Sequence, residues 1–431
     1  MRPRQHRLPG DVLDRLAGGG GGAVGARHLV AAERSKLKLL TLLMVRLAAE
    51  TRHPQAEAAE HAYELLAEAE RKQPAAVRDV LGHPSVGAWL HATVRALDDA
   101  ARLPLGPAQL GAVALVAALK AGLPCRAEVP APGGVITLPS LGQVVLPPGG
   151  PESADLRVHA DGQVEGEGLI LRPDGREQPH WRPLRRLTAG DLDLLLDDLD
   201  PARWSAATVI EGRLPDDELR AWRTSLASAW DLLLRQHWTT AAETREIVRV
   251  LTPIKGPDWG MDSATTGDRF GTIAMSTPPD GRWLASTIAH EIQHAKLGAV
   301  LDVVRLLEPD EGRYYAPWRP DPRPLAGLLQ GAYAYLGVSG FWRRQRAAEP
   351  DLRPHVEFAR WRRSAYEVTG VLLDSGRLTG TGRRFLTGMR RTLAAWQDEP
   401  VPAEALRVAR QEAETHRAAW LARAAGPGAT G

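Results

Sequence analysis

Arg269–Leu307 reads RFGTIAMSTPPDGRWLASTIAHEIQHAKLGAVLDVVRLL, and within it His290-Glu291-Ile292-Gln293-His294 has the form His-Glu-x-x-His. Apolar residues recur at Leu284, Ile288, Ile292, Leu297, Val300, Leu301 and Val304, the spacing of one helix face, and predict a helix over Leu284–Leu307. Residues four apart lie above one another on a helix. Both imidazoles can therefore aim at one metal ion, with Glu291 beside them to act on metal-bound water. The bland alternative is a pair of histidines that meet helical spacing by chance. The order of the stretch argues against it: Arg269–Thr277 is β-prone, Pro278-Pro279-Asp280-Gly281 is a turn, and the helix follows. Zincin-like metalloenzymes build their sites in that order.

Upstream, the pattern is helical and then β-prone. From Arg27 to about Gly122, Leu37, Leu39, Leu40, Leu43 and Leu47 mark one helix face, and Ala59–Arg71 and Val86–Ala100 predict further helices. Gly18–Gly22 lacks the Gly-Lys-Ser/Thr ending of a phosphate-binding loop and predicts a flexible link. Between Cys125 and Leu187 the runs Val135–Leu138, Gln143–Leu146, Leu156–Ala160 and Gly168–Leu171 are separated by Pro/Gly turns, as in a small antiparallel sheet. Helical periodicity returns over Pro215–Trp238, a strand is expected at Ile247–Leu251, and helices follow the motif to about Ala424. The expected fold is α+β and mainly α-helical. It comprises a helical N-terminal region (1–124), a small antiparallel β-rich region (125–200) and a metal-binding catalytic domain (201–424). That domain has a zincin-like core, strand then HExxH helix, with C-terminal helices, and 425–431 is a flexible tail.

A formal charge of +2 over 431 residues gives no field that would recruit nucleic acid or an anionic membrane. Cys125 is the only cysteine, which excludes an intrachain disulfide and a thiolate metal cage; it reads as a small core filler. Met1–Leu8 is basic but lacks the apolar run of a secretion signal, so a reducing cytoplasm is the expected compartment. The most apolar window, Leu110–Leu123, is too short to span a bilayer and contains Lys120. His83, His159, His180, His237 and His355 have no partner at ligand spacing and read as structural or exposed, and the scattered tryptophans as packing residues.

Two imidazoles are an incomplete site. Catalytic zinc takes three protein ligands plus water, whereas mononuclear non-haem iron takes two histidines and a carboxylate and keeps three positions open. No histidine follows His294 at the metzincin position, and the helix beginning near Pro324 (PLAGLLQGAYAYLGVSGFWRR) contains no acid to serve as a gluzincin ligand. Gln330 is the polar side chain on that helix best placed to reach a metal, with Tyr333 and Tyr335 near it; Glu308, Asp310 and Glu311 are weaker candidates. Between the two helices, YYAPWRPDPRP (Tyr314–Pro324) is stiffened by four prolines. Such a segment suits the holding of Arg319 and Arg323, whose guanidiniums grip carboxylates through paired hydrogen bonds, with Asp321 able to orient one of them.

FGTIAMSTPPDGRWLASTIAHEIQHAKLGAVLDVV followed by RYYAPWRPDPRPLAGLLQGAYAYLGVSGFWRR resembles the actinobacterial HExxH-motif peptide-modification family, and LGHPSVGAWL and GGVITLPSLGQVVLP extend the resemblance to the N-terminal half. The resemblance implies an iron(II)/2-oxoglutarate-dependent dioxygenase that β-hydroxylates a side chain in a ribosomally synthesised precursor peptide. It implies His290 and His294 as iron ligands and Glu291 as the motif acid. From their chemistry, Arg319 and Arg323 are assigned to the 2-oxoglutarate carboxylates, with Gln330 or a nearby acid completing the metal shell. The strand Phe270–Ser276, taken as an edge strand beside the motif helix, can pair with an extended peptide by main-chain hydrogen bonds. The competing expectations are a zinc metallopeptidase with Glu291 as general base and a catalytically inactive peptide-binding scaffold.

Overall fold

The computed structural model describes residues 6–99, 105–257 and 260–424. The tail expected at 425–431 lies outside them, as do the first five residues of the basic N-terminus. The fold is α+β and mainly α-helical, with helix over 58% of the chain and strand over 14%. Among the described residues no helix is long and apolar enough to cross a membrane. The chain forms two compact units, one from Ala31–Leu226 and Val248–Pro278, the other from His6–Val30, Ala227–Ile247 and Pro279–Gly431.

In the first unit the change of composition near Pro124 separates helices from strands but not two cores. Leu66, Val77 and Leu90 from the helices Ala56–Lys72, Pro74–Leu81 and Pro84–Asp98 share one apolar cluster with Ile136, Val158 and Trp181 from the strands. Helix Leu110–Ala121, apolar nearly all round, is buried in that cluster, which explains the apolar window without a membrane. The strands build three sheets. Two are antiparallel: Cys125–Pro130, Ser153–Val158, Val164–Gly166 and Leu169–Leu171 in one, Val135–Leu138, Gly142–Val145 and Trp181–Pro183 in the other. The third is mixed, in the order Ser263–Ala264, Thr272–Met275, Val250–Pro253, Leu192–Leu196, Arg185–Ala189.

Strand Thr272–Met275, proposed as an edge that could accept a peptide, is interior: Val250–Pro253 pairs with it in parallel and Ser263–Ala264 antiparallel. With ladder partners on both sides it has no free edge to extend.

In the second unit the motif helix spans Gly281–Val303, four residues shorter at its C-terminus than the periodicity predicts, because Val304 turns to an extended conformation. Asp280 caps it by accepting from the Trp283 amide at 2.7 Å, which stabilises a helix start by about 1 kcal/mol. Leu284, Ile288, Ile292, Leu297 and Val300 are buried, as the periodicity requires. Helix Leu325–Ala348 packs against it, and Leu352–Asp374, Gly380–Gln397 and Ala403–Ala424 complete the C-terminal helices.

The glycine run is not a flexible link. The Gly19 and Gly20 carbonyls accept from Lys296 Nζ at 3.1 and 3.0 Å, and the Gly22 amide donates to Glu243 Oε1 at 3.0 Å. Gly19 and Gly21 hold φ of 85° and 122°, where a side chain is strained, and a Cβ there would press on Leu336 and Leu16. The tract is a fitted wrap around a buried ion pair.

Candidate metal centre

The motif helix brings His290 and His294 together as its spacing requires. Their Nε2 atoms are 3.1 Å apart and the rings meet edge to face at 71°. Such a pair can share one proton or one cation. On the far side of His294, Nδ1 lies 3.1 Å from Gln330 Oε1. An amide oxygen only accepts, so Nδ1 carries the hydrogen and Nε2 is left with its lone pair. Burial first, and His294 second, push His290 down to about 3, which keeps that ring neutral and able to donate a lone pair.

A separation of 3.1 Å lets both nitrogens reach one ion, in either octahedral or tetrahedral geometry. Among the described residues no aspartate, glutamate, cysteine or further histidine joins the pair as a third ligand, all atoms within 4.8 Å of one another. The donor set suits an ion that takes two protein nitrogens and leaves its other positions to small molecules. It does not supply the three protein ligands of a peptidase zinc.

The other sequence candidates fall into place as follows. Gln330, expected as a ligand, instead meets the opposite nitrogen of His294 and acts as a positioning residue in this arrangement. Tyr333 faces elsewhere, donating to the Leu16 carbonyl at 2.6 Å. Glu308 pairs with Arg305, Asp310 accepts from the Gly312 amide and the Tyr314 hydroxyl, and Glu311 is exposed. Glu291 is buried in the helix that carries both histidines.

Tyr335 is the centre of an aromatic layer on the His290–His294 pair. Its ring meets that of His290 at 5.3 Å, Trp318 stacks on it at 4.9 Å, and Trp361 packs at 4.2 Å. Burial above all pushes the Tyr335 hydroxyl up to about 12, so it stays protonated; Glu291 adds to the rise, against the pull of Arg360. Trp318 belongs to the proline-stiffened segment, and its indole lies on Gly331 of helix Leu325–Ala348, where a Cβ would overlap it. Tyr314 and Arg323 exchange main-chain hydrogen bonds of 2.8 and 2.9 Å, which close the segment into a loop. Inside that loop Asp321 holds both arginines, Arg319 Nε at 2.9 Å and Arg323 Nη1 at 3.0 Å. The Arg319 bond, then the Arg323 bond, pulls Asp321 down to about 2. Arg319 remains 54% exposed and Arg323 34%, so each keeps N–H donors for an incoming anion.

Sequence reasoning missed Trp361, which comes from a later helix with no local signal. It also missed a constellation in the first unit. His83, treated as lacking partners, lies with Asp197 and Asp200, their ligand atoms within 4.8 Å. His83 Nδ1 meets Ser85 Oγ at 2.8 Å and Ser85 donates to Asp200 Oδ2 at 2.6 Å, while Asp197 Oδ1 accepts from the Leu199 and Asp200 amides. These side chains are more than a hundred positions apart, so no spacing rule connects them.

Compared with protein families and with curated proteins, the chain matches no family model and no curated sequence.

Proposed function

We propose that this chain is an iron(II)/2-oxoglutarate-dependent oxygenase that hydroxylates a β-carbon in a ribosomally made precursor peptide. The observation that carries the reading is the convergence of His290 and His294 Nε2 at 3.1 Å, without a third protein ligand among the described carboxylates, histidines and cysteine. The resemblance of FGTIAMSTPPDGRWLASTIAHEIQHAKLGAVLDVV, which contains the same two histidines, and of YAPWRPDPRP to the HExxH peptide-modification family agrees with it. With iron bound, the overall reaction joins dioxygen, 2-oxoglutarate and a C–H bond to give succinate, carbon dioxide and an alcohol.

The protein's own groups have definable tasks. His290 and His294 hold the ion, and Gln330 fixes the tautomer that leaves His294 Nε2 free to bind it. Tyr335, backed by Trp318 and Trp361, presents an apolar ring to His290 and keeps water from that side. Arg319 and Arg323, both held by Asp321, are the anchors for the 2-oxoglutarate carboxylate. Glu291 orients a neighbouring group or a bound water. A zinc metallopeptidase is the second reading, favoured by the intact His-Glu-x-x-His, with Glu291 as general base; a catalytically inactive peptide scaffold is the third.

The test is to incubate the purified chain with iron(II), 2-oxoglutarate and a candidate precursor peptide, and to follow succinate and peptide mass. The expected result is succinate and a peptide heavier by one oxygen, both lost in His290→Ala. Peptide cleavage with zinc would establish the second reading, and unaltered peptide binding in His290→Ala without turnover in the wild type the third.

A further inference from the structure

The first unit contains a cleft of about 820 Å³, within the size range of small-molecule sites. Most of its cations are already paired: Lys120 with Asp79, Arg186 with Asp193, and Arg185 with the buried Asp198. Arg223 and Arg249 also line it, both exposed, and among the described residues neither guanidinium has an ion-pair or hydrogen-bond partner. The remaining acid in the wall, Asp174, accepts from the Arg176 amide and from Gln178. Two arginines are left uncommitted.

Buried polar atoms without partners gather in the same wall. They are His83 Nε2, Ser140 Oγ and Arg185 Nε. Buried polar atoms are usually satisfied in folded proteins by protein, ordered water or a ligand, so three in one wall leave room for polar partners from the cleft. His83 is only 3% exposed. Its tautomer follows from its neighbours: Ser85 gives its hydrogen to Asp200, so the Ser85 oxygen receives the His83 Nδ1 hydrogen. Nε2 is therefore an acceptor that lacks a donor. Burial, reinforced by Lys120 and opposed by Asp79, lowers the ring to about 3 and keeps it in that form. Ser140 holds φ at 66°, a conformation that L residues seldom adopt.

We infer that this cleft binds a small phosphorylated molecule bearing a free hydroxyl, its phosphate held by Arg223 and Arg249 and its hydroxyl donated to His83 Nε2. A doubly charged group with three acceptor oxygens matches two guanidinium forks, whereas a single carboxylate leaves one of them unmatched. Ser140 Oγ and Arg185 Nε are further donors to the same ligand. The site is independent of the HExxH residues and of the activity proposed for them.

Titration calorimetry of the whole chain tests it with ribose 5-phosphate, adenosine 5′-monophosphate, methyl phosphate and ribose as probes. At least one of the two hydroxyl-bearing phosphates is expected to bind about tenfold more tightly than methyl phosphate, the increment of one well-made hydrogen bond, and ribose not at all. Arg223→Ala and Arg249→Ala are each expected to weaken phosphate binding about tenfold, while Arg220→Ala, outside the cleft, leaves it unchanged. His83→Phe should remove the preference over methyl phosphate but not the binding of methyl phosphate itself. If that variant does not fold, Ser140→Ala is read in its place, with a several-fold loss expected. Equal affinity for all phosphates, or arginine variants that bind like the wild type, overturns the inference.

Discussion

Lys296 Nζ lies 2.9 Å from both carboxylate oxygens of Glu243, and neither side chain reaches solvent. The ammonium is two residues beyond His294 on the motif helix, and its remaining bonds run to the glycine wrap. Burial pulls its pKa down while Glu243 pulls it up. Taking away one member leaves a buried charge without a counterpart. Lys296→Met is expected to destabilise the protein by about 3–5 kcal/mol, and Lys296→Met with Glu243→Leu to recover most of that loss. Urea denaturation of the three proteins measures it, and equal stability of the single and double variants would contradict the account.

Among the described residues, Gln330 meets the His290–His294 pair through a hydrogen bond at His294 Nδ1. Gln330→Ala releases the ring to turn and to change tautomer. Metal affinity should fall about 10- to 100-fold, as is usual when the partner of a ligating histidine is removed, with little change in thermal stability. Cobalt(II) titration followed by absorbance reports this without any turnover. His290→Ala should abolish the cobalt spectrum. Wild-type affinity in Gln330→Ala would exclude a positioning role.

Gly331 and Gly298 give a paired experiment. A methyl group at Gly331 runs into the Trp318 indole, whereas one at Gly298 meets nothing within 4 Å. Gly331→Ala is expected to cost about 1–3 kcal/mol and to displace Trp318 from Tyr335, visible as a change in tryptophan fluorescence. Gly298→Ala, in a helix interior, should instead stabilise by about 0.5–1 kcal/mol. A fluorescence spectrum unaltered by Gly331→Ala would mean that the proline-stiffened loop is not seated as described.

Asp197 yields a pH dependence. Burial, and then the charge of Asp200, raises its pKa from 3.8 to about 7, against two backbone amides and Arg203. Between those values the folded protein keeps a proton that the unfolded chain releases, so this site's contribution to stability falls as pH rises from about 4 to 7 and is level above. Asp200 shares the titration; His83, lowered to about 3, stays neutral in the folded protein over this range, and its own opposing linkage is common to the wild type and Asp197→Asn. Asp197→Asn retains an oxygen for the Leu199 and Asp200 amides but carries no proton equilibrium. Its melting temperature should gain on that of the wild type between pH 5 and pH 8. Melting curves that stay parallel across that range would refute the assignment.

The sequence was most legible where one short period carried the signal. The burial of Leu284, Ile288, Ile292, Leu297 and Val300, and the meeting of His290 with His294, both follow from helical geometry over one continuous stretch. Val135–Leu138 was readable as a strand because β-prone residue types and flanking turns are local signals. Two expectations failed where geometry depended on distant chain. The strand at Thr272–Met275 lost its free edge to Ser263–Ala264, a two-residue partner too short to register as a strand. Gly18–Gly22 appeared flexible because the lysine that orders it is nearly 280 residues away. Gln330 was correctly placed near the metal helix, but which nitrogen it meets depends on how two helices pack.

Composition and periodicity alone determined that the protein is mainly helical, that a β-rich stretch begins near Cys125, and that two imidazoles share one helix face. These properties are written in spacings of two to four residues, which the backbone enforces wherever the segment sits. The tertiary structure alone decided that His83 joins Asp197 and Asp200, that Trp361 backs Tyr335, and that Lys296 is buried against Glu243. Contacts between residues tens to more than a hundred positions apart arise from packing of whole elements, and no local period encodes them.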